Sequence, residues 1–219
     1  MTVDGKRTIA ILGGTGDLGS GLAKCWLAAG HTVVVGSRSA EKARQFVQEL
    51  GAGAVGQDNV GAAKVADIIV LAVPYDSHET TINAIKDVVH GKIVVDAVVP
   101  LVPPKVSTVQ LPAGGSAAQI AQQLLGDGVK VVSAFHNVGA TKLQAGERVD
   151  CDVLVFGNDK EARETVIALA GDVATRGVDG GVLANSAAAE ALTSVLIAIN
   201  RRYKVPGAGI RITGLPPAG

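Results

Sequence analysis

The chain has 219 residues, of which 47% are hydrophobic and only 3% aromatic. Twenty basic residues balance twenty acidic ones, so the net charge gives no support to a nucleic-acid or membrane-surface partner. The two cysteines fit no metal or redox spacing, no run of 18 apolar residues predicts a transmembrane helix, and the first residues are not a secretory signal. We therefore expect a cytoplasmic protein that binds no metal.

Strands and helices alternate along the chain. Residues 8–12 predict a first strand, and Leu18, Leu22 and Trp26 form one face of a first helix, which Gly30 ends. Further strands are predicted at residues 32–36, 67–73, 92–96, 129–135, 151–157 and 173–178. Further helices are predicted at residues 39–50, 77–89, 116–125, 159–170 and 185–203, with Ser39 and Ser116 as N-caps. Residues 51–60 show no clear pattern.

This alternation predicts an α/β fold with a doubly wound, Rossmann-type parallel sheet. The apolar residues are mostly Ala, Val, Ile and Leu, which is typical of parallel strands covered by helices on both faces. We expect a larger domain over residues 1–140 and a smaller C-terminal α/β domain over residues 141–219, the boundary lying between Phe135 and Cys151. The loop at residues 97–115 contains four prolines, and its length inside a compact domain predicts a segment that is either functional or disordered.

Gly14, Gly16 and Gly19 have the spacing G-x-G-x-x-G between the first strand and the first helix. In that setting glycine permits the tight turn and lets the backbone approach a pyrophosphate. The free N–H groups and positive dipole end of the helix then face the anion. The same pattern can be a simple turn, but its strand–turn–helix context favours a dinucleotide site.

The end of the second strand indicates which dinucleotide is bound. NAD sites carry an Asp or Glu there, which binds the ribose hydroxyls. This chain has Ser37 and Arg38 instead, with Lys42 one helical turn later. A hydroxyl and two cations suit a 2′-phosphate that a carboxylate would repel, so the sequence predicts NADP(H). The alternative is that Arg38 and Lys42 are solvated charges on a surface helix.

Histidines supply the candidates for chemistry. His136 follows the carboxyl end of a predicted strand, where doubly wound folds bind ligands, and it is either a ligand contact or part of a structural loop. His78 also follows a strand, and we expect a ligand contact or a surface residue at the start of a helix. We expect His31 and His90 at the surface, beside helix ends.

Motifs in order along nearly the whole chain resemble those of the NADPH-dependent coenzyme F-420 reductases, or 8-hydroxy-5-deazaflavin:NADP oxidoreductases. They lie at residues 13–19, 35–43, 70–74, 98–103, 115–118, 133–138, 151–153 and 207–216. The resemblance implies hydride transfer between the nicotinamide C4 of NADP(H) and the C5 of coenzyme F-420. It also implies a deazaflavin pocket between a Rossmann domain and a small C-terminal domain, and a homodimer.

The resemblance carries over to individual residues. Thr15, together with Ser37, Arg38 and Lys42, would hold the 2′-phosphate. The candidate nucleotide-binding residues are Gly14, Thr15, Gly16, Asp17, Leu18, Gly19, Ser37, Arg38, Lys42, Val73 and Pro74. The candidate deazaflavin-binding residues are Pro100, Leu101, Val102, Asn137 and Val138, with His136 as the candidate catalytic residue. One position departs from the family: Ala187 stands where some members have an arginine.

Two other functions remain open at this point. The first is an NADP-dependent reductase that uses the same scaffold for a flavin, an imine or a ferric ion. The second is a dinucleotide-binding redox sensor without enzymatic activity. The loop at residues 97–115 and His136 favour an enzyme, because a sensor needs no second pocket.

Overall fold

The fold is described by a computed structural model that covers residues 5–51 and 53–216. Its strands are β1 Thr8–Leu12, β2 Thr32–Ser37, β3 Ala54–Asp58, β4 Ile68–Leu71, β5 Ile93–Asp96, β6 Lys130–Ser133, β7 Val149–Gly157 and β8 Ala174–Asp179. Its helices are α1 Asp17–Ala28, α2 Ala40–Leu50, α3 Asn59–Val65, α4 His78–Ile85, α5 Ala117–Leu125, α6 Ala140–Gln144, α7 Lys160–Gly171 and α8 Ser186–Tyr203.

The strands form one sheet in the order β3-β2-β1-β4-β5-β6-β7-β8. Strands β1 to β6 are all parallel, and their order is that of a Rossmann fold, which confirms the predicted fold class. Strand β4 is buried at every position because helices cover both faces of the sheet. The strand order reverses between β1 and β4, so a crevice opens at the carboxyl ends of these strands.

The C-terminal part extends the same sheet through a narrow connection. Strand β7 runs antiparallel to β6 and pairs with it at only two positions, Val132 with Gly157 and Ser133 with Phe156. Strands β7 and β8 are parallel and pair over most of their length. The C-terminal part is therefore α/β, as expected, and a division into domains at residue 140 stays a prediction.

The stretch without a clear pattern contains β3 and the start of α3. Gly56 lies in this strand against α2, where an added Cβ would come within 2.4 Å of the backbone of Ala43 and Arg44. A glycine is therefore required where the helix crosses the strand, and it also removes the alternation by which a strand is recognised. The predicted N-caps are confirmed, since the hydroxyls of Ser39 and Ser116 accept hydrogen bonds from the first turns of α2 and α5.

Helices α1 and α7 connect the two parts of the sheet through buried side chains. The indole N–H of Trp26 donates to the carbonyl of Leu169 at 3.1 Å, and its ring meets Phe135 edge-on at 5.6 Å. His31 lies beside them, 8% exposed, with its Nε2 3.1 Å from the carboxylate of Asp172. The expectation that His31 is a surface residue was wrong, because both ring nitrogens have partners inside the fold.

The C-terminal tail, residues 205–216, returns from α8 onto β7. Asp152 is fully buried in this strand, and its carboxylate binds the guanidinium of Arg176 and accepts from the N–H of Ile212 at 2.7 Å. Arg176 also donates to the carbonyl of Ile212. Gly209 packs so closely on Cys151 that an added Cβ would lie 2.6 Å from the Cβ of that cysteine. The tail is thus held over the thiol by the hydrogen bonds of Ile212 to the Arg176–Asp152 pair and by a second ion pair between Arg211 and Asp150.

Helix α8 has the length and composition of a membrane span. Together with the turn before it, the segment Leu183–Tyr203 contains an 18-residue window with a mean hydropathy of 1.3, and 33% of that window is buried. It is the one such helix in the described part of the chain. A single helix of this kind is a weak indication, because core helices of soluble proteins share these properties. The absence of a membrane segment stays a prediction.

Candidate functional site

The glycine turn between β1 and α1 has little room for side chains. Gly13 has φ +81°, and an added Cβ there would lie 2.5 Å from the carbonyl oxygen of Ala72. A Cβ on Gly19 would lie 2.6 Å from the carbonyl oxygen of Gly13, so α1 packs directly on the turn. Gly16 differs, since its added Cβ meets only one atom, at 3.3 Å. The fold requires the first two glycines, whereas the space beside Gly16 is open to a ligand.

A cavity of about 430 Å³ lies beside this turn, at the carboxyl ends of β2, β3 and β4. It is lined by Gly13, Thr15, Gly16, Ser37, Arg38, Ser39, Lys42, Asn59, Ala72, Val73, Pro74, Ser77 and Thr81. Arg38 and Lys42 are exposed, and neither forms an ion pair within residues 5–51 and 53–216. No described lining residue is a carboxylate, so the cavity presents an uncompensated positive charge.

The cavity brings together most of the predicted nucleotide-binding residues. Those that line it are Thr15, Gly16, Ser37, Arg38, Lys42, Val73 and Pro74. Those that do not are Gly14, Asp17, Leu18 and Gly19. The carboxylate of Asp17 instead accepts from the amide of Gln144 at 2.9 Å, and Leu18 packs against the apolar core. Asp17 and Leu18 therefore contact other parts of the fold, and their predicted contact with the nucleotide stays a prediction.

Asn59 lines the cavity and was missed by the sequence analysis. It is the first residue of α3, directly after β3, in the stretch that could not be assigned. Its Oδ1 is buried and has no hydrogen-bond partner in the described part of the chain. A prediction of β3 would have placed Asn59 at the carboxyl edge of the sheet, where ligands bind in this fold.

The residues predicted to contact a deazaflavin follow β5 and β6, the next two strands of the sheet. They lie outside the cavity described above. Pro100 is buried, Leu101 is half-buried and Val102 is 45% exposed. Because neighbouring parallel strands end at the same edge, the segment at residues 100–102 and that at residues 136–138 both belong to the carboxyl edge of the sheet.

His136 is held inside the protein in its neutral form. Its side chain is only 6% exposed, and its Nε2 lies 3.5 Å from the hydroxyl of Ser133. Burial lowers the pKa of His136 to about 4, although the nearby Asp96 acts in the opposite direction. The ring is therefore uncharged near pH 7. Its Nδ1 has no partner among the described residues.

The loop after β6 is anchored to α8. The side-chain amide of Asn137 donates to the carbonyl of Ala189 at 3.0 Å and to the hydroxyl of Thr193 at 3.1 Å. That hydroxyl in turn lies 3.0 Å from the carbonyl oxygen of His136, to which it donates. The amide hydrogens of Asn137 are thus engaged within the fold, and Val138 is half-buried beside them. These contacts fix the direction of the loop.

His78 does not line the cavity, and the expectation of a surface residue was wrong. It is fully buried at the start of α4, and its Nε2 donates to the carboxylate of Asp96 at 2.7 Å. The other oxygen of Asp96, which is also fully buried, accepts from the N–H of Val98 at 2.9 Å. Sequence spacing could not reveal this pair, because its members lie on different elements.

A third buried carboxylate lies where α8 meets α5. Glu190 is 1% exposed and accepts from the backbone N–H groups of Ala117 and Ala118, at 2.7 and 3.2 Å. Burial raises the pKa of Glu190 to about 7, against the effect of these two hydrogen bonds. Ser186 contacts the hydroxyl of Ser116 nearby. Ala187 is half-buried in the same turn and brings no charge.

The parallel sheet, the glycine turn and the cationic cavity define a dinucleotide-binding protein of the Rossmann type. Residues 8–100 match the family described as NADP oxidoreductase coenzyme F420-dependent. The chain is 42% identical over 221 residues to the F420-dependent NADP reductase of Methanocaldococcus jannaschii, a match covering 94% of this chain and 98% of that protein. The chain belongs to the F420-dependent NADP reductase family, which confirms the resemblance seen in its motifs.

Two further comparisons agree. The F420-dependent NADP reductase of Methanothermobacter thermautotrophicus is 38% identical over 221 residues, which cover 95% of each chain. The crystal structure of a putative F420-dependent NADP reductase from an Arthrobacter species matches with a TM-score of 0.80, over 94% of this chain and 99% of that chain. At 24% identity this last match shows the same fold.

Proposed function

We propose that this protein is an oxidoreductase that transfers a hydride between NADP(H) and coenzyme F-420. The observation that carries the proposal is a cationic cavity beside the glycine turn, in a chain of the F420-dependent NADP reductase family. When bound, the nicotinamide supplies a hydride and the deazaflavin ring accepts it at carbon. The protein has to hold the two rings about 3–3.5 Å apart in a cleft that excludes water.

The proposed nucleotide site uses the cavity as it stands. The pyrophosphate would lie against the open backbone at Gly16 and at the N-terminus of α1, where free N–H groups face the anion. Val73 and Pro74 form an apolar wall after β4. The absence of a Cβ at Gly16 leaves the space that such a close approach of phosphate requires.

The proposed preference for NADP(H) rests on charge. A 2′-phosphate would meet Arg38 and Lys42 and the hydroxyl of Ser37, and Thr15 lines the same cavity. Arginine can bind a phosphate through two parallel hydrogen bonds, which lysine cannot. Because neither cation has an ion-pair partner in the described chain, no internal contact has to break before the phosphate binds.

The proposed acceptor site is at the edge formed by residues 100–102 and 136–138. Leu101 and Val102 offer apolar surface to a planar ring, and His136 offers a ring nitrogen without a partner in the described chain. With a pKa of about 4, His136 is not a proton reservoir at neutral pH. Its proposed role is a hydrogen bond to the substrate from the neutral imidazole, whose buried Nδ1 has to be uncovered before it can reach a ligand.

The proposal is tested by mixing the purified protein with NADPH and oxidised coenzyme F-420 and following the loss of deazaflavin absorbance. Parallel reactions replace the deazaflavin with a flavin, an imine or a ferric salt. We expect reduction of the deazaflavin and a preference for NADPH over NADH. Reduction of another acceptor alone would identify a different reductase, and binding of NADPH without reduction of any acceptor would identify a sensor.

We also propose that the protein is a cytoplasmic homodimer without membrane association. Exposed apolar side chains along and beside the segment Leu183–Tyr203 support a second copy as the partner, namely Val182, Val195 and Tyr203. Light scattering after gel filtration would give the mass of the assembly. A monomer, or recovery in the membrane fraction of cells, would contradict this part of the proposal.

A further inference from the structure

We propose that His78, Asp96 and Glu190 are positioning residues that hold both ends of the loop at residues 97–115 in place for hydride transfer. The inference rests on the proposed function, because this loop carries Leu101 and Val102 of the proposed acceptor site. None of the three side chains lines the nucleotide cavity, and all three are at most 1% exposed.

Asp96 fixes the start of the loop. It is the last residue of β5, and its carboxylate makes two contacts: His78 donates to one oxygen at 2.7 Å, and the N–H of Val98 donates to the other at 2.9 Å. The loop therefore leaves the strand in a direction set by a buried charge. Hydrogen bonds to a buried carboxylate are stronger than those between neutral groups.

Glu190 fixes the end of the loop. Its carboxylate accepts from the N–H groups of Ala117 and Ala118 in the first turn of α5, at 2.7 and 3.2 Å. These N–H groups have no partner within their own helix, because they belong to its first turn. Through Glu190, helix α8 thus provides the hydrogen-bond acceptors that the loop residues do not provide, and it fixes where the loop ends.

The two ends are connected electrostatically. Burial alone would lower the pKa of His78, but the hydrogen bond and charge of Asp96, and then the charges of Glu190 and Glu79, raise it overall. Asp96 and His78 also act on the pKa of Glu190, in opposite directions. Tyr75, whose ring stacks on His78 at 6.2 Å, has a pKa raised by burial and by Glu79 and Glu190.

The same contacts join the acceptor loop to the nucleotide cavity. His78 follows Ser77, which lines that cavity, and Thr81 one turn later lines it as well. The hydrogen bond from His78 to Asp96 therefore spans from the wall of the nucleotide site to the start of the acceptor loop. A displacement of about 1 Å between two reacting rings can lower a rate by about a hundredfold. A rigid link between the nucleotide cavity and the acceptor loop would therefore help to keep hydride transfer fast.

The test compares Asp96→Asn and Glu190→Gln with Asp172→Asn, which alters the other His–Asp pair, formed by the part-exposed Asp172 and by His31 just before the start of β2. Hydrogen exchange of the 98–118 segment is measured first, together with the melting temperature. The NADPH dissociation constant, and kcat and KM for coenzyme F-420, follow. These readouts separate loop position from overall stability.

We expect Asp96→Asn and Glu190→Gln to accelerate exchange at Val98 and at Ala117 and Ala118, respectively, by about tenfold or more. We expect kcat/KM for the deazaflavin to fall by a similar factor while the NADPH dissociation constant changes by less than about twofold. Asp172→Asn leaves the loop exchange and the deazaflavin kinetics unchanged. If the melting temperature falls to a similar extent in all three variants, a loss of stability cannot explain why only Asp96→Asn and Glu190→Gln change the loop exchange and the deazaflavin kinetics.

Unchanged loop exchange in folded variants would overturn the proposal, and so would equal losses for NADPH and the deazaflavin. In the wild type, the N–H groups of Val98, Ala117 and Ala118 must exchange more slowly than the middle of the loop. Rapid exchange there would refute the proposal even if no variant folds. Failure of the proposed function looks different, since the wild type would then leave coenzyme F-420 oxidised while the exchange pattern persisted.

Discussion

Arg38→Ala should weaken NADPH and leave NADH almost unchanged. Arg38 lines the nucleotide cavity, is exposed, and forms no ion pair in the described part of the chain. Its removal therefore takes away a contact with the ligand and no contact within the fold. NADH has no 2′-phosphate, so it has nothing to lose from this change.

The size of the effect follows from the kind of contact. A hydrogen bond between charged groups contributes about 1.5–3 kcal/mol, which corresponds to a loss of roughly tenfold to a hundredfold in affinity. Arg38 is exposed, so salt screens it and the lower half of this range should apply at physiological ionic strength. The free energy of unfolding should change by no more than about 0.5 kcal/mol, as for other surface substitutions.

The assay is a fluorescence titration with NADPH and NADH at low and high salt. Arg44→Ala is the matched control, because Arg44 is an exposed arginine of the same helix, α2, that does not line the cavity. It should bind both nucleotides as the wild type does. Equal weakening of NADPH and NADH by Arg38→Ala would show that Arg38 does not contact the 2′-phosphate.

Four further variants have expected outcomes. Gly19→Ala should lower the melting temperature because its Cβ meets backbone at 2.6 Å, whereas Gly16→Ala should melt normally yet weaken NADPH in a titration by about tenfold. The folded-state pKa of Glu190 is raised from 4.5 to about 7, so the contribution of this group to the unfolding free energy falls by about 3 kcal/mol as pH rises through that window. The lowered pKa of His136 acts in the opposite direction in both proteins, so urea titrations should show the loss as a fall of about 3 kcal/mol in the stability of the wild type relative to Glu190→Gln. Arg176→Met leaves the buried carboxylate of Asp152 without its guanidinium partner and with only the N–H of Ile212, so urea unfolding should show a loss of about 3–5 kcal/mol; a loss under 1 kcal/mol would contradict that reasoning.

Local patterns predicted most of the fold. The apolar runs of β1 and β4, the hydroxyl caps of α2 and α5 and the glycine turn are all encoded by neighbouring residues, and each was identified correctly. Strand β3 was missed because the packing of α2 requires a glycine at position 56, and this glycine interrupts the alternation of apolar and polar residues that predicts a strand. A residue that is chosen for a contact distant in sequence carries no local signal.

As with the fold, the candidate site was predictable where neighbouring residues define it and not where it depends on contacts that are distant in sequence. The cations at the end of β2 could be placed because the fold fixes where that strand ends. The partner of His78 could not be placed, since Asp96 lies 18 residues away on another element. Whether a histidine is exposed or buried depends on what packs over it, and His31 shows the same limit.

The covered position of Cys151 makes this thiol a reporter of tail movement. Gly209 lies against its side chain, and burial raises the pKa of the thiol to about 11, so the docked state should react very slowly with thiol reagents. A release of residues 205–216 should uncover the side chain of Cys151, and the labelling rate of Cys151 would then measure how often the tail undocks. Because Arg176 holds the tail through Ile212, the labelling rate of Cys151 would report how often the C-terminal edge of the protein opens.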